Sequence, residues 1–331
     1  VNQNAAPTLS DVAAHAGVSL ATASRALNGS TRQVRPDLKA RVLASATALG
    51  YSVNSQAQAV AKGTSTTVAL VVGDIADPYF SSIAAGVVRG AREHGLSVTL
   101  TGLEASAVQE DSGQEAALIA ALRAQRPRAV IVAAGRETDA GWEAFSHLNA
   151  LTVIGPDVPG IRSVAVANRD GAAALATGLR GLGYSDFTIV AGDVRLSTVS
   201  ERIGGFLSVA PGSRIVEGAF SRDGGYRAMA ELLAAGARPE CVFAVTDVMA
   251  IGVVGAIKDA GLTPGEDIAV AGFDDVPILR DLTPRLTTVA LPLEEIGERA
   301  LALAVSDVSD LRLSEPIVGE VRIRESTPRT A

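Results

Sequence analysis

Apolar positions at the front of the chain recur at helical spacing. In "TLSDVAAHAGVS" Leu9, Val12, Ala13 and Ala16 fall on one face, the signature of an amphipathic helix. Thr8 and Asp11 form a near capping box, and the aspartate favours the positive helix end. Gly17 stops the helix, because a left-handed residue costs least at glycine. Ser19 caps a second helix, "LATASRALN", which ends at Asn28-Gly29. A third, "RPDLKARVLASATALG", has Pro36 in its first turn and stops at Gly50. Its Leu38, Val42, Leu43, Ala46 and Leu49 are expected to close a three-helix core with Val18 and Ala23. Ala13 and Gly17 are small where the first two helices cross. Two short helices joined by a glycine-containing turn make a helix-turn-helix. The same pattern also fits a three-helix bundle with no nucleic-acid role.

After the polar stretch "KGTSTT" the period changes. "TVALVV", "LSVTLTG" and "RAVIVAA" alternate with amphipathic helices, and a second series follows: "FTIVAG", "SRIVEGAF", "CVFAV" and "IAVAGF". Two successive sets of βαβ units predict two parallel, doubly wound sheets with helices on both faces. The fold class expected is therefore α/β, two such lobes behind an all-α head. Ligands of these sheets bind beyond the carboxyl ends of the strands. There the sequence places Asp77 as a helix cap, Pro78 in a first turn, and Tyr79 and Phe80 at the mouth. Arg202 lies on the helix after "FTIVAG", Phe220 ends "SRIVEGAF", Thr246 and Asp247 follow "CVFAV", and Asp274 and Asp275 follow "IAVAGF". Aromatic faces beside a guanidinium and carboxylates suit a small polar ring. Asp247 reads as a helix cap rather than a ligand, and Phe80 or Phe220 could instead be core. The chain is expected to cross between lobes near 163–168 and 288–293, and again through "PIVGEVRIRES".

Composition sharpens this picture in one respect. The chain of 331 residues carries a net charge of −7 and is 47% hydrophobic. Residues 1–62 nevertheless hold six Lys/Arg against Asp11 and Asp37, and the remainder holds 23 bases against 34 acids. A basic head on an acidic body predicts that the head meets a polyanion. The lone cysteine, Cys241, excludes a disulfide framework and suits a reducing cytoplasm. "VNQNAAPTLSD" is not expected to be a secretory signal, and no apolar run reaches the ~20 residues that span a bilayer.

"TLSDVAAHAGVSLATASRALNG" and "VRPDLKARVLASATALGYSVNSQAQAV" resemble the LacI family of bacterial transcription regulators. "DPYF", "SERIGGF", "GGYRAMAELL", "TDVMAIGVVGAIKDAGLTPGEDIAVAGFDD" and "PRLTTVALPLEEIGERALAL" resemble its effector-binding body, which is similar to periplasmic sugar-binding proteins. The resemblance covers nearly the whole chain. It implies a DNA-binding head over 1–52, a hinge helix and linker over 53–65, and a two-lobed body over 66–331. The lobes are expected at 66–165 plus 291–315 and at 166–290 plus 316–331.

On the head, the resemblance implies that Leu20, Ala21 and Arg25 read bases in the major groove. Arg25 can grip guanine O6 and N7, worth roughly 1–3 kcal/mol of discrimination, while Leu20 and Ala21 can meet only thymine methyls. Ser19, Thr22, Ser24, Asn28 and Tyr51 would contact phosphate or position the helix, with capping an alternative for Thr22 and Ser24. Arg35 stands where the family usually has a capping serine, which gives a basic side chain reach toward phosphate. In the hinge, Asn54, Ala57 and Val60 would meet DNA. Val53 replaces the usual proline and Val60 the leucine wedged into the minor groove. Valine is a poorer wedge and helix former, so the hinge helix is expected to form only on DNA; a plain linker is the alternative.

In the body, the resemblance implies effector contacts at Tyr79, Phe80, Arg202, Phe220, Thr246 and Asp274. Thr246 stands where asparagine is often found. The expected protein is an operator-binding regulator, a repressor, controlled by a pentose or nucleoside-like effector. Its other partners are a pseudo-palindromic duplex and a second copy of the chain; the absence of a heptad segment after "RIRESTPRTA" favours a dimer over a tetramer. No cofactor, metal or membrane is expected. His15, His94 and His147 have no second ligand at metal spacing, and no phosphate-binding glycine loop or nucleophile elbow occurs. A solute-binding protein without regulatory role is the alternative, and an enzyme is disfavoured.

Overall fold

The computed structural model describes residues 7–28, 34–52, 65–103, 112–133, 142, 144–306 and 315–328. The chain divides into two compact units, Val1–Ser65 and Thr66–Ala331.

The first unit is built from α1 (Leu9–Ala16), α2 (Leu20–Asn28) and α3 (Pro36–Leu49). Thr8 and Asp11 close a reciprocal capping box at the start of α1, and Gly17 ends the helix with φ +62°. The Ser19 hydroxyl accepts from the Thr22 amide at 3.2 Å and so caps α2. Arg35 precedes Pro36 and offers α3 no side-chain cap. Val12, Ala13, Ala16, Ala23, Ala26, Val42 and Ala46 form the core, with Val18, Leu49 and Tyr51 packed at its edge. Two expected core residues fall outside this cluster: Leu38 is only half-buried, and Leu43 is 46% exposed. At 3.6 residues per turn the inward face of α3 runs through positions 42, 45, 46 and 49, so Ser45 is buried and Leu43 turns outward.

The second unit contains two parallel sheets. In the first, β1 (Thr67–Val72), β2 (Ser97–Gly102), β3 (Ala129–Ala133), β4 (Leu151–Gly155) and β5 (Arg162–Ala165) lie in the order β2-β1-β3-β4-β5. In the second, β6 (Phe187–Ala191), β7 (Arg214–Glu217), β8 (Cys241–Ala244) and β9 (Ala269–Ala271) repeat that winding as β7-β6-β8-β9. Alternate side chains of β1 serve opposite faces: Val68, Leu70 and Val72 enter one core cluster, Ala69 and Val71 another. This is why the strand reads as an unbroken apolar run. Helices α4 (Pro78–Glu93) and α5 (Ser112–Gln125) belong to the first series. Helices α6 (Asn168–Gly181), α7 (Ser197–Val209), α8 (Arg222–Ala234) and α9 (Asp247–Asp259) belong to the second.

Three stretches join the sheets. The first runs from β5 through a bridge between Val166 and Ile317 into α6. A second, β10 (Thr288–Ala290), leads to α10 (Leu293–Val305), which packs on α4 of the first lobe. The third, β11 (Glu320–Arg322), pairs antiparallel with β10. Single bridges from Ala271 to Thr287 and from Asp274 to Ala290 bind the β10 stretch to the second sheet.

Candidate functional site

On the head, Leu20, Ala21 and Arg25 are exposed along α2, and Leu20 is 51% exposed. Ser19 and Thr22 are tied to each other, hydroxyl to hydroxyl, at 2.8 Å. Both are thus engaged in capping, with hydroxyl capacity left over for a phosphate. Ser24 and Tyr51 are half-buried. Asn28 ends α2. The Arg35 guanidinium pairs with Asp37 of the same first turn at 2.7 Å, both side chains exposed. Asn54, Ala57 and Val60, with the rest of the hinge from 53 to 64, lie outside the described residues.

In the body, the carboxyl ends of the strands and the starts of five helices converge on one cleft of about 370 Å³. All six side chains singled out for an effector line it: Tyr79, Phe80, Arg202, Phe220, Thr246 and Asp274. Asp77 caps α4 by accepting from the Tyr79 amide at 2.8 Å, and this fixes the turn that sets the two aromatics. Their rings meet edge to face with centroids 5.0 Å apart. Phe220 lies past the strand it was expected to end, since β7 stops at Glu217. Gly218 and Ala219 carry the chain out of the sheet, and the ring comes over Gly192, where an added Cβ would lie 2.3 Å from Phe220 Cδ2.

Arg202 organises the floor of the cleft. It is 2% exposed, and its Nη2 donates to Asp274 Oδ1 at 2.8 Å. Nη1 donates to the Val245 carbonyl at 2.7 Å and Nε to Asn168 Oδ1 at 2.9 Å. The guanidinium carbon sits 3.8 Å from the centre of the Phe273 ring, a cation–π contact that does not use up a donor. Asn168 in turn donates to Glu201 Oε2 at 3.3 Å. Asn168 escaped sequence reasoning; its position directly after the first crossing and at the start of a helix was the available signal. Asp274 has φ +116°, an unfavourable conformation for aspartate that turns its carboxylate toward Arg202. Burial raises the Asp274 carboxyl to about 7, against the opposing pull of Arg202. Burial likewise raises Asp77, the Tyr79 phenol and Glu201.

The cap of α9 is Thr246, whose hydroxyl accepts from the Met249 amide at 3.3 Å; Asp247 is not the cap. Asp247 sits one residue into the helix and is fully buried. Its two oxygens accept from Thr288 Oγ1 at 2.7 Å and the Val276 amide at 2.9 Å, joining α9 to the second crossing. Among the described residues, no cluster of His, Cys, Asp and Glu could hold a metal ion, and no helix is long and apolar enough to cross a membrane.

Together these parts define a helix-turn-helix head followed by a two-lobed, ligand-binding body. Residues 8–54 match the model of bacterial regulatory proteins of the lacI family, and residues 176–327 match a periplasmic binding protein-like domain. The chain is 34% identical over 308 residues to the HTH-type transcriptional regulator GalS of Salmonella typhimurium, covering 90% of this chain and 89% of that one. Against the GalR regulator of Escherichia coli it is 32% identical over 312 residues, covering 91% and 89%. A structure of the Lac repressor dimer bound to operator and the anti-inducer ONPF superposes with a TM-score of 0.80 at 26% identity, covering 98% and 99%. The chain belongs to the LacI family of bacterial regulatory proteins. It is accordingly a DNA-binding transcription regulator and not an enzyme.

Proposed function

We propose that this regulator is a repressor acting in the cytoplasm as a homodimer, and that a small polar effector held in the cleft controls its affinity for a pseudo-palindromic operator. α2 enters the major groove, Arg25 reads guanine, and Leu20 and Ala21 meet thymine methyls. Ser19, Thr22, Ser24, Asn28 and Tyr51 set register on the phosphates, and Asn54, Ala57 and Val60 meet the minor groove. The head spans 1–52 and the hinge 53–65. One lobe takes 66–165 and 291–315, the other 166–290 and 316–331. The effector bound between them is a pentose or nucleoside-like ring.

The observation carrying this reading is the buried Arg202–Asp274 pair facing Tyr79, Phe80 and Phe220 across the cleft. It offers hydrogen-bonding edges on one side and ring faces on the other. A structure 28% identical to this chain, the transcriptional regulator CelR, is a complex with cellobiose, in keeping with a sugar-like ligand.

The test is a thermal-shift screen of pentoses, hexoses and nucleosides on the full chain, since saturating ligand raises stability by RT ln(1 + [L]/Kd). A pentose or nucleoside is expected to raise Tm, with its affinity reduced at least tenfold by Asp274→Asn. Hits confined to other classes, or an unchanged affinity in that variant, would reject the effector assignment.

A further inference from the structure

The C-terminus of α1 poses a problem that a residue of α3 solves. Gly17 and Val18 bond back to the carbonyls of Ala14 and Ala13, at 3.1 and 3.0 Å. The Ala16 carbonyl, on a residue 3% exposed, lies beyond the reach of those two amides. Its donor is Arg41 Nη2, from 25 residues further along the chain. A Cβ added at Gly17 would lie 2.9 Å from that same nitrogen. Glycine at 17 therefore permits both the left-handed turn and the guanidinium seated against it. A cation is also favoured at this end of a helix dipole.

The contact falls where it governs α2. Gly17, Val18 and Ser19 are the whole turn between α1 and α2, and Ser19 is the cap from which α2 starts. Leu20 and Ala21 follow immediately. We propose that Arg41 is a positioning residue for DNA reading: its guanidinium clamps the end of α1 to α3 and so fixes the angle at which α2 leaves the turn. This rests on the assignment of α2 as the base-reading helix. Arg41 is one of six bases in residues 1–62, and charge alone would make it a phosphate ligand. The two roles separate in the salt dependence. A phosphate contact contributes about one unit to the log–log slope on any sequence, whereas a lost clamp weakens specific binding without changing the slope.

The measurement uses the full chain and fluorescence anisotropy over a range of salt. The probes are the palindromic duplex most enriched by the wild type from a randomised pool, and a scrambled duplex of equal length. Arg41→Met keeps the apolar stem and removes the donor. It is expected to weaken the selected duplex on the order of tenfold, with binding to the scrambled duplex and both salt slopes unchanged. Parallel weakening on both duplexes with a slope shallower by about one, or no weakening at all, overturns the proposal. If the helical circular-dichroism signal shows that Arg41→Met unfolds the head, Arg41→Lys decides. It keeps the charge that a phosphate contact needs, so full wild-type affinity overturns the clamp and selective loss on the enriched duplex supports it. Arg25→Ala, run alongside, keeps the two ideas apart. If it leaves the enriched duplex bound as tightly as before, the reading of α2 fails; if it abolishes selectivity and Arg41→Met does not, the clamp alone fails.

Discussion

Arg202 and Asp274 are each 3% exposed at the side chain and 2.8 Å apart, so removing one strands the other in a nearly dry site. Asp274→Ala is predicted to destabilise the body by about 3–5 kcal/mol, the usual cost of breaking a buried pair from one side. Urea unfolding checks this, and a loss below about 1 kcal/mol would mean that water reaches the guanidinium. The same carboxyl sets a pH dependence. Asp274 is raised to about 7 by burial, and Asp77, Asp247 and Glu201 are raised for the same reason. Between about pH 4 and 7 the folded state holds protons that the unfolded chain has released, so stability falls as pH rises through that window. Tm is expected to drop from pH 5 to pH 8, less steeply in Asp274→Asn. A flat or rising profile would contradict the charge states described. Glu240 and Glu325, whose carboxyls are held low by hydrogen bonds from the Ser185 amide and from Arg285, act in the opposite sense at the acid end, losing stability as pH falls. Arg202 and Asp274 were legible as cleft residues because one lies on the helix after a strand and the other lies shortly beyond a strand end. Their pairing was not, since nothing in the spacing of residues 202 and 274 reports a 2.8 Å contact.

At the scale of elements, α4 and α10 approach so closely that their backbones exclude side chains at the crossing. A Cβ at Gly86 would lie 1.9 Å from the Glu294 carbonyl oxygen, and one at Gly297 would lie 2.1 Å from that of Ile83. Gly86→Ala is predicted to cost about 1–3 kcal/mol, the range for overpacking. Gly181→Ala in α6, with nothing within 4 Å of the new carbon, should be neutral or stabilising. Chemical denaturation of both variants makes the comparison, and equal effects would show that the helices part freely. Apolar runs revealed most strands because parallel strands are covered on both faces. Leu43 and Asp247 were misread for reasons of local geometry: a one-residue step on a helix turns a side chain by about 100°, and the cap lies one residue earlier than the more acidic neighbour suggests. The closing helix contacts were invisible, because a glycine in a helix reads as a weakness until its neighbour's backbone is located.

Across the whole molecule, the crossings tie the cleft to the joints between lobes. Asp274 lines the cleft, and its backbone bridges Ala290 on the second crossing. Its neighbour Asp275 holds Arg324 at 2.7 Å and Arg322 at 2.9 Å, at and beyond the end of β11. If the proposed effector site holds, a ligand that moves Asp274 would act on two of the three connections at once. The crossings near 163–168 and 288–293 could be placed from sequence, since short β-rich runs there break the alternation with helices. The partners of Asp275 could not, because they come from a stretch about fifty residues later. Coupling of this cleft to the DNA-reading head is measured by titrating the enriched palindromic duplex with the full chain, with and without the sugar or nucleoside that raises its Tm. Saturating ligand is expected to change duplex affinity by roughly 5–150-fold, the usual span of allosteric coupling, and Asp274→Asn to reduce the change at the same ligand concentration while still binding the duplex. Equal affinity with and without bound ligand in the wild type would contradict that coupling.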